Sequence, residues 1–177
     1  MKNIKVTIYT KEMGRVDLNK QEYHDFDFDS VIKHRLNSPA AIWYYEDGSI
    51  NSEFYYINDK IHRLDGPACI YYYENGSINS KYYYINNELH KTDGPSVIWY
   101  NQYGNFSSKH YYINNKIHRI DGPAIIWYNQ DGSVWREEYY INYTSYNKED
   151  YDNLINEMKA LPKSLKLVHE DWWVREL

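Results

Sequence analysis

His34, His62, His90 and His118 stand 28 residues apart, and so do Pro39, Pro67, Pro95 and Pro123. A fixed period of that length means an array of like units, because one such unit cannot bury its apolar face alone. Each copy opens with the turn His62-Arg63-Leu64-Asp65-Gly66-Pro67-Ala68 or a variant of it. An apolar run follows (Ala41-Ile42-Trp43-Tyr44 in the first copy), then a glycine turn (Asp47-Gly48), then a second aromatic run (Phe54-Tyr55-Tyr56-Ile57-Asn58).

Alternation within the first run puts Ala40, Ile42 and Tyr44 on one face and Ala41, Trp43 and Tyr45 on the other, the pattern of a strand. Asp47-Gly48, Asn75-Gly76, Tyr103-Gly104 and Asp131-Gly132 close a hairpin in each copy, since glycine supplies the positive φ such turns need. The second strand runs over 50–57. Asn58-Asp59 and its equivalents start the link to the next copy. Proline lacks an N–H, so each Pro belongs at the start of a strand. The expected fold is all-β: an antiparallel hairpin array with a helical cap at its C-terminal end.

Three segments follow. Residues 1–25 form an N-terminal strand, with alternation at Ile4, Val6 and Ile8, and a polar connector or short helix over 14–22. Residues 26–142 carry the repeats, which start with a worn half-copy at Phe26-Asp27-Phe28. Residues 143–177 form a cap. Asn147 is the expected N-cap of a helix with Tyr151, Leu154, Ile155 and Met158 on one face, ended by Pro162. The tail beyond it carries Leu165, Leu167, Val168, Trp172 and Trp173, and docks on the sheet edge, because open edges invite aggregation.

Composition narrows the function. The net charge is -5, against the basic balance of a general nucleic-acid binder, so a nucleic-acid polymer is disfavoured as partner. Cys69 is the one cysteine, at the repeat position of Ala41, Val97 and Ile125, and reads as a core filler. No apolar leader or long apolar span is present, so a cytoplasmic setting without membrane contact is expected.

The unit Gly-x7-Tyr-Ile-Asn-x-x-x-His-Arg-x-Asp-Gly-Pro-Ala over residues 48–68 resembles MORN-like repeats. It is closer still to the His-Arg-x-Asp-Gly-Pro-Ala repeats of phage and giant-virus proteins. Asn37-Ser38, Lys91 and Ser96 depart from that consensus. The resemblance implies hairpin arrays without catalytic activity and with interaction roles. It implies a protein of viral origin acting in a host cytoplasm.

Two ladders are the candidate ligand-binding residues. The first is a rim stripe of His62-Arg63, His90-Lys91 and His118-Arg119, ended by His34-Arg35, which can hold phosphates or carboxylates by charge-assisted hydrogen bonds. Its structural reading is that each His, with the Asp three residues on, ties down its own turn. The second is the aromatic ladder Trp43, Tyr71, Trp99 and Trp127, a core stack by default; the opposite face carries Tyr44, Tyr72, Tyr100 and Tyr128, and an aromatic face left exposed is a stacking platform. Successive histidines of such an array sit about 9–10 Å apart, too far to share one metal ion, so no metal is expected. Neither a catalytic constellation nor a cofactor motif emerges.

The leading expectation is a non-enzymatic binding protein that takes up a small anionic, nucleotide-type host immune signal, or a host protein. A structural component oligomerising through its sheet and tail is the alternative, and a hydrolase built on the His/Asp turns stands third.

Overall fold

The computed structural model describes residues 4–27 and 31–161. The expected C-terminal tail lies outside the described residues, as do Phe28 and Pro162.

The array is one sheet of eleven antiparallel strands flanked by three two-stranded hairpins. An N-terminal hairpin of β1 (Ile4–Thr10) and β2 (Gly14–Asn19) leads into a short helix α1 (Lys20–Asp25). The first copy supplies β3 (Ala41–Tyr44), β4 (Ile50–Phe54), β5 (Tyr56–Ile57) and β6 (Lys60–Ile61). The second supplies β7 (Cys69–Tyr72), β8 (Ile78–Tyr82), β9 (Tyr84–Ile85) and β10 (Glu88–Leu89). The third supplies β11 (Val97–Tyr100), β12 (Phe106–His110), β13 (Tyr112–Ile113) and β14 (Lys116–Ile117). The fourth runs through β15 (Ile125–Tyr128), β16 (Val134–Ile141) and β17 (Thr144–Tyr146) to helix α2 (Lys148–Ala160). The sheet order is β17-β16-β15-β12-β11-β8-β7-β4-β3-β1-β2.

Each copy therefore holds two hairpins, one more than its sequence pattern announced. The first turns at glycine: Gly48, Gly76, Gly104 and Gly132 all have φ between 80° and 88°. The side chain before the glycine closes the turn. Asp47 Oδ1 accepts the N–H and the hydroxyl of Ser49 at 2.8 and 2.6 Å, and Asn75 and Asp131 do the same for Ser77 and Ser133. Tyr103 cannot accept in this way. Asn101, two residues earlier, takes over and accepts from the Tyr103 and Asn105 N–H groups at 3.0 and 3.1 Å.

The second hairpin turns on two left-handed residues, the arrangement of a type I′ turn. Asn58 and Asp59 have φ of 51° and 63°, and Asn86-Asn87, Asn114-Asn115 and Asn142-Tyr143 repeat it. The strand expected over 50–57 is thus split in the first copy: β4 pairs in the large sheet and β5 pairs with β6.

Two N-terminal expectations are corrected. Residues 14–19 are a strand, not a connector, because Val16 and Leu18 alternate and pair with Ile8 and Val6 of β1. The half-copy is not built from Phe26-Asp27. Strand β1 takes that place: Val6, Thr7 and Ile8 pair with Trp43, Ile42 and Ala41, as Ser52, Glu53 and Phe54 pair with Tyr71, Ile70 and Cys69. Tyr9 then does the work of Tyr55, donating its N–H to Ala40 and accepting from His34. Phe26 instead packs on the cluster of Val6, Ile8, Leu18, Val31 and Ala41.

The middle of the sheet has no second layer among the described residues, so it must build a core within itself. One row reads Trp43–Ser52–Tyr71–Ser80–Trp99–Ser108–Trp127–Arg136 across successive strands. The serines are buried, and their small size lets rings from both neighbours close over them. The next row on that face carries rings on the other strands, at Phe54 and Tyr82. The two rows mesh edge to face: Phe54–Tyr71, Tyr71–Tyr82 and Tyr82–Trp99 have centroids 5.6 to 5.8 Å apart. T-shaped pairs of this kind stabilise beyond their buried area. Cys69 fills its expected core position, and burial pushes its thiol up to about 12.

At the far end, Tyr151 and Ile155 of α2 pack on Tyr139 and Ile141. The Tyr151 hydroxyl also reaches the carbonyls of Arg119 and Gly122, each at 3.1 Å, and so closes the last repeat turn.

Ser80→Leu tests the intra-sheet core. The added methyl groups have no room between Tyr71 and Trp99, so the substitution costs about 1–3 kcal/mol, and thermal denaturation reads it as a fall of several degrees. An unchanged midpoint contradicts the packing.

Candidate binding surface

The stripe residues fold into the array's own contacts. Each histidine reaches 24 residues forward, from the turn that opens its copy to the second hairpin turn at that copy's far end. His34 Nδ1 accepts the Asn58 N–H at 3.2 Å, His62 that of Asn86 at 3.3 Å, and His118 that of Asn142 at 3.1 Å. His90 Nδ1 lies 2.6 Å from Asn114 Oδ1. The histidines therefore tie the opening turn of a copy to the hairpin turn that ends it, not each to its own turn.

The Arg and Lys beside them do close their own turns. Arg63 lies 4.0 Å over the Tyr55 ring, and its Nε donates to Asp65 at 2.8 Å. Arg119 lies 3.9 Å over Tyr111 and donates to Asp121 at 2.6 Å and to the Pro123 carbonyl at 3.1 Å. Lys91 sits 4.9 Å from the Tyr83 ring and 2.6 Å from Asp93. The guanidiniums also explain the glycine of the motif. A Cβ on Gly66 would stand 2.9 Å from the Arg63 guanidinium carbon, closer than real contacts allow. Pairing with these cations holds Asp65, Asp93 and Asp121 below the usual carboxylate value.

Trp43, Trp99 and Trp127 stand in the serine row, with Trp99 still 38% exposed. Among the described residues no group of three His, Cys, Asp or Glu side chains gathers where it could hold a metal ion.

Sequence reasoning reaches the opposite face through its tyrosines alone, as a stacking platform if exposed, and names no charged residue there. Its tyrosines, Tyr72, Tyr100 and Tyr128, stay half-buried. Phe106 joins two of them, with ring centroids 5.4 Å from Tyr100 and 5.9 Å from Tyr128. Beside these rings runs a row in register: Ile42–Glu53–Ile70–Lys81–Ile98–Lys109–Ile126–Glu137. Lys81 Nζ lies 5.6 Å from the Tyr100 ring, and Lys109 Nζ lies 3.7 Å from Phe106 and 5.3 Å from Tyr128. Burial, and then the Arg119 charge, hold the Lys109 ammonium below its usual value. A signal for this row does exist in the sequence. Positions 53, 81, 109 and 137 are one repeat position that reads Glu, Lys, Lys, Glu, a place where the copies differ in charge.

No family model, curated protein or solved structure matches the chain.

Burial depresses the basicity of His118, and also of His110, where the nearby Glu138 opposes the effect. Protonating His118 at Nδ1 would set an N–H against the Asn142 N–H. The folded-state value lies below the unfolded one, so the unfolded chain binds protons first as pH falls. Stability from these two groups is whole above about pH 6.5 and declines below it. The double variant His110→Phe, His118→Asn keeps an acceptor near Nδ1 and removes both titrations. Thermal midpoints measured from about pH 7 down to about pH 5 fall in the parent and are flatter in the variant. Equal slopes contradict the assignment.

Proposed function

We propose that the chain is a non-enzymatic binding protein that takes up a small anionic ligand of nucleotide type on the tyrosine face of its sheet. One observation carries the reading. This face sets the half-open rings of Tyr100, Phe106 and Tyr128 beside Lys81 and Lys109, which have no carboxylate partner among the described residues. Rings stack on a flat heterocycle, and ammonium groups hold its phosphate. Lys91 and Arg119 add positive potential from the rim, although each is already paired.

The resemblance of the repeats to those of phage and giant-virus proteins supports a sharper form: a viral protein that sequesters a nucleotide-type host immune signal. A sequestering protein needs shape and charge but no chemistry. The histidines and aspartates of the repeat turns support that reading, since they are committed to contacts within the array.

Native mass spectrometry and thermal denaturation with a panel of nucleotides test this. A bound anion at a hundredfold excess over its Kd stabilises by about 2.7 kcal/mol, a rise of several degrees. Heating then releases it with unchanged mass. A changed mass overturns the non-enzymatic part, and no stabilisation by any anion overturns the binding.

A further inference from the structure

We propose that Lys81 and Lys109, astride Ile98, form the anion site of this face, and that Glu53 and Glu137 at the ends of the same row restrict it to short ligands. The inference rests on the binding function proposed above and names its site and ligand class: a nucleoside di- or triphosphate, with the phosphates between the lysines and the base on the Tyr100–Phe106–Tyr128 rings.

Ile98 pairs with Lys81 on one side and with Lys109 on the other, so the two lysines share a face and are separated by one strand. Their Cα atoms stand about 9–10 Å apart, twice the strand spacing. Two lysine side chains span that gap easily, and both ammonium groups can converge on one phosphate chain. Across its strand pairs each lysine meets only isoleucine: Ile70 and Ile98 for Lys81, Ile98 and Ile126 for Lys109. No carboxylate lies within ion-pair distance of either among the described residues. By contrast the nearby cations Lys91 and Arg119 have Asp93 and Asp121. A half-buried, unneutralised pair of like charges costs stability, and an anion placed between them relieves that cost.

The ends of the row work in the opposite sense. Glu53 accepts the Tyr72 hydroxyl at 2.8 Å, and Glu137 accepts that of Tyr139 at 2.8 Å, so both carboxylates are held in place. Each stands two strands outward from a lysine, about 9–10 Å away. A ligand confined to the centre meets only positive charge. A polyanion laid along the row meets negative charge at both ends, and like charges set against each other reject a partner. The acidic net charge of the chain acts in the same direction.

Titration calorimetry on the full chain tests the site with ADP, pyrophosphate, adenosine and an oligo-dT long enough to cross the row. ADP is expected to bind more tightly than pyrophosphate or adenosine, and oligo-dT more weakly than ADP. Lys81→Met and Lys109→Met each weaken ADP binding by about tenfold or more, the loss of one charge-assisted hydrogen bond, while the thermal midpoint stays within a few degrees. Lys60→Met, on the exposed side of β6, leaves the affinity unchanged. Glu53→Gln with Glu137→Gln brings oligo-dT binding up towards that of ADP. ADP affinity unaltered by both lysine variants overturns this site while the binding function stands. Oligo-dT binding as tight as ADP in the parent overturns the restriction. If no anion in the panel binds or stabilises the protein, the binding function fails as well.

Discussion

The structure depends on one requirement: every exposed strand edge must meet the backbone of the next copy. Ala68 shows how it is met. Its carbonyl accepts the Tyr55 N–H at 2.8 Å, and its own N–H donates to the Tyr82 carbonyl at 2.8 Å, so one residue joins two neighbouring copies. Ala40, Ser96 and Ala124 hold the same place, and all four are fully buried. The hairpin tips are joined in the same way. Asn87 donates its N–H to the Ile61 carbonyl at 2.9 Å, and its side-chain oxygen accepts the Ile61 N–H at 2.7 Å, so an amide side chain completes a ladder that lacks a strand. Leaving such groups unpaired in a buried place costs as much as a lost hydrogen bond. The spacing of 28 therefore tolerates exchange of side chains but not a change in length.

From that requirement the ends follow. The first copy needs an edge before it, and β1 supplies one with the right register. The last repeat turn keeps the backbone bonds of the others, from Arg119 to Tyr140 and from Ala124 to Glu138, and the Tyr151 hydroxyl of α2 adds contacts to the Arg119 and Gly122 carbonyls. Strand β1 does not copy the repeat in sequence; what it reproduces, through Tyr9, is the set of donors and acceptors a neighbouring copy presents.

The 28-residue period made the strands and the glycine turns legible in the sequence, and the Asn147 cap with the apolar face behind it did so for the C-terminal helix. It left out the partner of each contact. Histidine and aspartate three residues apart looked like one local unit, yet His118 bonds to Asn142 while Asp121 pairs with Arg119. A repeating sequence presents every copy alike, so it does not show whether a side chain turns back or reaches forward. The N-terminal half-copy was misplaced for a related reason: Phe26-Asp27 has the right spacing, but β1 has the right hydrogen-bonding edge. The row of Glu53, Lys81, Lys109 and Glu137 is not legible from the period, because a period marks what recurs and this row lies where the copies differ.

The most direct measurement is a deletion of one period. Removing residues 69–96 joins Ala68 to Val97 and regenerates each interface between copies, if those interfaces are truly interchangeable. The account predicts a folded protein that unfolds cooperatively by circular dichroism, with a lower midpoint than the parent because one set of neighbour contacts is gone. A deletion variant that is unfolded or aggregated, while the parent is soluble and cooperative under the same conditions, would contradict it.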